Sequence, residues 1–521
     1  MLKKWLIGLF TMSVLLCSIH QPTAAATAVE APGGQVSSYE ELGKALGGEA
    51  AVRIEENHLL ILSDIRLSAP VVITEGQYML LGAGIEITAS FDASAFFCVE
   101  GKGAALSFGS SGTQGDQDNL VLNGENKTRS GSLLTIGNDA TVTIFGGTAL
   151  RNHTTSVSGG AIFNEGTFAM YGGTIEDCSS VGAGGAIDSR GSVIFSSGVI
   201  SGCSAEFGGA LYNEGKVSLA GTEFKDCRAT KGGAVFNAGD LEMLSSSISS
   251  CKATQGAGLY NSGTAALKGG QIVSCLAENG EGGGIYNSGT LTMSGTYLKD
   301  NSAKNGGSLY NVAEATLAEG LLLAGNATEA GGNVYNDANG TVKLTGCSIS
   351  VGKAKYGGGV FNLGTLTLSG GVINSNKADY GKGVLNDGKL SILGFVDVYD
   401  NNDIFIVTDD EASHAITLEG QLNDVFHAVL TPGCRTENGY EVGYVEGAKL
   451  LAGSHVSAGY ARFSVSSNNG EKWLLTEDGT LIPSLPVYRQ AWFYLVLVGA
   501  FALTVALMVT GIRYLDKKRS S

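Results

Sequence analysis

Five cysteines recur at nearly constant spacing: Cys178, Cys203, Cys227, Cys251 and Cys275 follow one another at 24 or 25 residues. Thiols so placed could hold a metal, pair as disulfides or fill a core. A metal centre needs Cys-x-x-Cys clusters or histidine partners, and the sequence has neither. Disulfides between repeats are within reach if the repeats stack as strands, roughly 4.8 Å apart, but parallel Cβ vectors suit that bond poorly. A stack of buried thiols, small and apolar, is the favoured reading.

A second series is aromatic: Phe163, Tyr212, Phe236, Tyr260, Tyr286, Tyr310, Tyr335 and Phe361, each between an aliphatic residue and an asparagine. If both neighbours face a core, the ring faces out. An exposed stripe would suit stacking on sugar rings or docking a partner protein; the competing reading is that the rings stack on each other. Tyr212, Phe236, Tyr260, Tyr286, Tyr310, Tyr335 and Phe361 are the candidate binding residues. Asp397, Asp400, Asp403, Asp409, Asp410 and Glu411 make the densest acidic stretch; carboxylates could hold calcium there, but a solvated loop is the preferred reading. The histidines from His58 to His455 form no pair at ligand spacing, and there is no phosphate loop or nucleophile elbow. No catalytic residue, metal or cofactor is expected.

These residues are carried by one repeated phrase: Gly-Gly, a small residue, an aliphatic, an aromatic, Asn, any residue, Gly. It stands complete at Gly159–Gly166, Gly208–Gly215 and Gly232–Gly239 and returns in shorter form to Lys382–Asn386, with one irregular copy at Gly185–Ser189. The markers Asn164, Ser189, Asn213, Asn237, Asn261, Asn287, Asn311, Asn336, Asn362 and Asn386 are 24 to 26 residues apart. Two residues before each marker runs an aliphatic lane from Ile162 to Val384. A second lane, six after, runs from Met170 through Val342 to Ile392, and a third, about eleven after, from Ile175 to Ile373. Three short strands and Gly-rich turns in about 25 residues leave no room for a helix. The expected fold is therefore all-β: a parallel β-helix, or solenoid, whose turns bury apolar side chains only by stacking. The 78 glycines argue against helical repeats. Asparagines in one slot of every turn can bond upward and downward as a ladder. The cysteine slot, fourteen residues after the markers, continues as Asn301, then with an offset Asn326, and later Asn376 and Asp400.

The Gly-Gly-Ala-Ile step, with an aliphatic-x-x-Asn or Cys step such as Phe224-Lys225-Asp226-Cys227, resembles the repeats of polymorphic membrane protein adhesins. More broadly, the repeat is similar to the right-handed parallel β-helix of the pectate lyase-like superfamily. The resemblance spans roughly 300 residues and implies fold far more than activity. Lyases and hydrolases on that fold use clustered carboxylates with a basic residue on one lateral face, and the repeats carry no lane of Asp or Glu with Arg beside it.

Taken in order, residues 1–26 read as a secretory signal: Lys3 and Lys4, an apolar run from Trp5 to Ile19, then Ala24-Ala25-Ala26. Residues 27–52 are an N-terminal cap, with a short amphipathic helix over Ser37–Leu46 covering the open end of the solenoid. The β-helix occupies 53–400, regular from about 131, and 401–482 form a C-terminal β cap. After a linker at 483–491, residues 492–512 contain no charge and are long enough to cross a bilayer. Residues 513–521 are a basic tail, which places the tail in the cytoplasm and the rod outside. A net charge of −16 disfavours nucleic acid as a partner. The expected protein is a non-catalytic, adhesin-like extracellular rod of a bacterial surface, anchored by its C-terminal helix and binding a glycan or a surface protein. The alternative is a polysaccharide-active enzyme or carbohydrate-binding protein of the same fold.

Overall fold

The computed structural model describes residues 28–92, 94–110, 119–399, 401–408, 414–424, 426–467, 471–484 and 491–519. The expected signal sequence, most of the linker, and Asp400, Asp409, Asp410 and Glu411 lie outside the described residues.

The chain coils into a parallel β-solenoid of about 14 turns. At roughly 4.8 Å per turn this is a rod about 67 Å long. In the regular turns a three-residue strand ends on the marker, which is asparagine in all but Ile187–Ser189. Ile162–Asn164, Ile187–Ser189, Leu211–Asn213 and Val235–Asn237 pair in parallel with equivalent positions of the repeat opposite each other, and the series runs without a slip to Val384–Asn386. A second ladder follows a sharp turn, as in Lys216–Ala220, Asp240–Leu244 and Thr264–Lys268. Ser247–Ser249, Gln271–Val273 and Tyr297–Lys299 belong to a third. Because strand side chains alternate, each ladder sends one set inward, and the three aliphatic lanes meet in one core that runs the length of the rod.

Gly-Gly opens each turn for two separate reasons. Gly232 has φ of +66°, a left-handed conformation that favours glycine. A Cβ on Gly233 would lie 2.3 Å from the carbonyl oxygen of Ala257 in the next turn. One residue supplies the bend, and the other lets successive turns touch.

Several expectations need correction. A fourth, partial ladder joins Lys252–Gln255, Leu276–Glu281, Ser302–Asn305 and Asn326–Ala330, where three strands per turn were expected. Val342 lies two residues off the second lane: it pairs with Ala315 and Leu366, while Leu344 pairs with Leu317 and Leu368. The turn after Asn336 is longer than its neighbours, which displaces the register. The ladders also run past residue 400. Asp403–Val407 pairs with Val384–Asn386, Ala428–Thr436 pairs with Asp403–Val407, and Phe463–Val465 pairs with Ala428–Leu430, all in parallel.

At the other end a helix spans Tyr39–Ala45, its N-terminus capped by the Ser38 hydroxyl, which accepts from the Glu41 amide at 3.2 Å. Leu42, Ala45 and Leu46 are buried over the first turns, removing an edge on which other chains could add strands. A C-terminal helix covers Ala491–Arg519, and its stretch Tyr494–Leu515 is 22 residues long and contains an 18-residue window of mean hydropathy 2.5. That length and composition suffice to cross a membrane.

Candidate functional site

The corner between the first and second ladders carries the asparagine and aromatic columns side by side. In each three-residue strand the outer two residues point inward and the middle one away. Asn213 donates an Nδ2 hydrogen to Oδ1 of Asn237 at 2.7 Å, and Asn237, Asn261, Asn287, Asn311, Asn336 and Asn362 repeat that bond to the next asparagine at 2.7–3.0 Å. The other hydrogen reaches backbone carbonyls, as from Asn237 to Thr264 at 3.0 Å. These amides are fully buried, so the ladder answers polar groups that would otherwise cost free energy.

The aromatic column forms as a stack. Phe236, Tyr260, Tyr286, Tyr310 and Tyr335 lie face to face with centroids 4.6–5.3 Å apart and planes within 10°. Tyr212 and Phe361 extend it at 5.1 and 5.0 Å. The ring faces are occupied by each other, leaving edges and hydroxyls toward solvent. Burial pushes the Tyr286 and Tyr335 phenols up to about 12. Tyr310 rises further, from burial first and then from Tyr335 and Asp337, to whose carboxylate its hydroxyl donates at 3.1 Å.

Both ends of the stack are closed. Below Tyr212 the slot holds Asp188, so Phe163 is cut off from the other rings, and the Arg190 guanidinium covers Phe163 at 5.1 Å. Asp188 is buried with one carboxylate oxygen unpartnered, and burial pushes its carboxyl up to about 6. Above Phe361, the strand Gly439–Val442 folds back antiparallel on Ala428–Thr436 and sets Tyr440 edge-on against Phe361, Tyr356 and Phe405.

The five cysteines form the expected buried column, all reduced. The thiols of Cys178, Cys203, Cys227 and Cys251 each donate to the carbonyl two residues earlier at 3.3 Å. Contact with neighbouring thiols, together with burial, holds Cys203 and Cys251 well above the ordinary thiol range. Asn301 continues the column, taking the Cys275 amide hydrogen at 2.9 Å. Asn326 does not: it is exposed, and the inward slots of that turn and the next are Gly325 and Gly352. The amide of Asn333 fills both, accepting from the Gly325 N–H at 3.0 Å and donating to the Ser350 carbonyl at 3.2 Å. Above Asn376 the column is continued by Asn402, which accepts from its Nδ2 at 2.9 Å; it therefore stands where Asp400 was expected.

The sequence did not single out a concavity of about 610 Å³ lined by Asn374, Ser375, Asp397, Tyr399, Asn401 and His427. It lies on the third ladder, where the regular turns give way to longer loops. Phe395 and Asp397 point outward from the strand Lys389–Val398, and Tyr399 keeps the alternation just beyond it. Phe395 is 76% and Tyr399 54% exposed. Asp397 accepts from Asn423 Nδ2 at 3.3 Å. Asp403, grouped with it by sequence, instead accepts the Lys382 amide hydrogen at 2.7 Å. Among the described residues no three His, Cys, Asp or Glu side chains converge as metal ligands. The available signal was Phe395-x-Asp397-x-Tyr399: alternating aromatic, acid and aromatic directly after a glycine.

Comparison with family models, curated proteins and solved structures found no match for the chain. By its fold the chain is a parallel β-solenoid rod bearing one apolar C-terminal helix.

Proposed function

We propose that the chain is an extracellular, membrane-anchored rod that works without catalysis, in the manner of an adhesin, by holding a binding surface away from the cell. The observation that carries this reading is the joining of a long, internally bonded solenoid to a single apolar helix, Tyr494–Leu515. Arg513, Lys517, Lys518 and Arg519 follow or overlap its end, against Arg489 alone before it, a bias that favours a cytoplasmic tail. The resemblance of the repeat to polymorphic membrane protein adhesins supports the same role. The rod's buried charge at the C-terminal end serves the frame, since Asp387 is held by Arg435 and Tyr440.

Full-length protein carrying tags at residue 28 and at the C-terminus tests the reading. The chain is expected to stay with membranes through alkaline carbonate extraction. Protease applied to intact cells is expected to remove the first tag and spare the second. Release of the chain by carbonate, or loss of the C-terminal tag first, overturns the proposal. A polysaccharide depolymerisation assay separates it from the enzymatic alternative: cleavage at a catalytic rate overturns the non-catalytic reading.

A further inference from the structure

We infer that the concavity beside Asp397 is a recognition site for a neutral oligosaccharide. The inference rests on the reading of the rod as a binding surface and gives that surface a place and a ligand chemistry.

A pyranose offers an apolar C–H face and a rim of paired hydroxyls. A site for it needs an aromatic ring open on one face and planar polar side chains that can both donate and accept. The aromatic column at the first corner lacks the first requirement, because its rings cover one another. Tyr399 meets it, as a wall of the concavity that is more than half exposed. Asn374, Asn401 and Asp397 surround it; an amide both donates and accepts, and a carboxylate accepts from two adjacent hydroxyls. A volume of about 610 Å³ falls in the range typical of small-molecule sites, roughly 300–1,000 Å³.

Charge narrows the class. Among the described lining residues there is no lysine or arginine, and one carboxylate is present. A uronate, sulfate or phosphate would meet Asp397 with no lysine or arginine beside it among the described lining residues, on a chain whose net charge is −16. The site therefore favours uncharged sugars over acidic polysaccharides.

Phe395 extends the surface. It lies two residues from Asp397 on the same outward face, about 7 Å along the strand, and is the most exposed large aromatic among the described residues of the rod. A ring inside the concavity and a second beyond its rim suit more than one sugar unit.

The test uses full-length protein in detergent micelles against neutral gluco-, xylo-, manno- and galacto-oligosaccharides, with oligogalacturonate as the acidic comparison, read by titration calorimetry. Wild type is expected to bind at least one neutral series and to bind oligogalacturonate at least tenfold more weakly. Tyr399→Ala and Phe395→Ala are each expected to weaken neutral binding at least tenfold with an unchanged unfolding midpoint. Tyr297→Ala is the control. Tyr297 is half exposed and stands in the column of Asp397 four turns away, through Leu321, Ser348 and Val372; its loss is expected to leave affinity unchanged. Absence of neutral binding, a preference for the acidic ligand, or equal affinity in Tyr399→Ala overturns the inference. None of these outcomes alters membrane extraction or protease accessibility, so the anchored-rod reading stands or falls separately.

Discussion

Arg435 grips Asp387 with both arms of its guanidinium, Nε to Oδ2 at 2.7 Å and Nη2 to Oδ1 at 2.5 Å, while Tyr440 donates to the same carboxylate at 2.7 Å. The Asp387 side chain is 1% exposed and that of Arg435 55%, so the pair is buried on one side and wet on the other. Removing the cation leaves a buried carboxylate with a single donor among these contacts. Arg435→Leu is expected to destabilise the rod by about 2 to 3 kcal/mol, and Asp387→Asn in the same background to recover part of the loss. Chemical denaturation of the parent, of Arg435→Leu, of Asp387→Asn and of the double variant checks this; additive losses in the double variant would show that the pair does not act together.

The asparagine ladder should be intolerant of truncation. Asn287 donates to Asn311 at 2.8 Å and to the Glu314 carbonyl at 3.0 Å, and accepts from Asn261 at 2.8 Å. Asn287→Ala strands a buried donor on one side and buried acceptors on the other, at about 1 to 3 kcal/mol for each group left unpaired. The denaturation midpoint should fall clearly, and further than for Ser288→Ala, whose hydroxyl makes one bond at 3.1 Å to the Asn261 carbonyl.

Much of this frame is legible in the sequence, because a solenoid writes the same contact into every turn. A lane of Ile, Leu and Val two residues before each asparagine can mean little else than an inward column, and the ladder from Asn213 to Asn386 follows. What escaped depended on exceptions to the period. The slots at Gly325 and Gly352 look empty until Asn333, an odd third residue after Gly331-Gly332, turns inward to fill them. The Val342 lane fails because Asn336 is followed by a longer turn. The irregular copy Gly185–Ser189 already puts Asp188 in the slot between Phe163 and Tyr212, and the register keeps it there. The concavity at Tyr399 arises where the 24- to 26-residue period ends, so the repeat does not mark it, and the local alternation Phe395-x-Asp397-x-Tyr399 is what the sequence offers there.

The column thiols should behave as core. Cys178, Cys203, Cys227, Cys251 and Cys275 are at most 1% exposed, and a thiol reacts as thiolate. A chromogenic disulfide reagent is expected to leave these five untouched in the native protein and to titrate them on unfolding. Native reaction of any of the five, followed by mass spectrometry of the peptides, would contradict the closed column.

The stacked phenols predict an alkaline weakness. Burial raises Tyr212, Tyr286 and Tyr335 to about 12, against about 10 in the unfolded chain. Between these values the native state holds protons that the unfolded state has released, so stability falls as pH rises from about 10 through 12. Tyr286→Phe with Tyr335→Phe is expected to flatten that slope while keeping the rings stacked. Denaturation midpoints at pH 8, 10 and 11 read the effect; equal slopes in parent and variant would refute it.

His153 stands one turn below Cys178 in the thiol column, fully buried, with neither ring nitrogen partnered. Burial first, and Arg129 second, hold its imidazole down to about 4, against about 6.5 when unfolded. Its neutral form is therefore the native form. The stability tied to it is present above pH 6.5 and is lost as pH falls toward 4, on the order of 3 kcal/mol across that window. An apolar replacement has no proton to take up and no buried nitrogen to leave unanswered. His153→Leu is accordingly expected to match or exceed the parent's stability at pH 7, where the unpartnered nitrogens cost about 1 to 3 kcal/mol, and to lose less between pH 6.5 and 4. Denaturation of parent and variant across that range decides it: a variant less stable at pH 7, with an unchanged acid slope, would mean that the imidazole is answered in solution by a group that burial alone does not reveal.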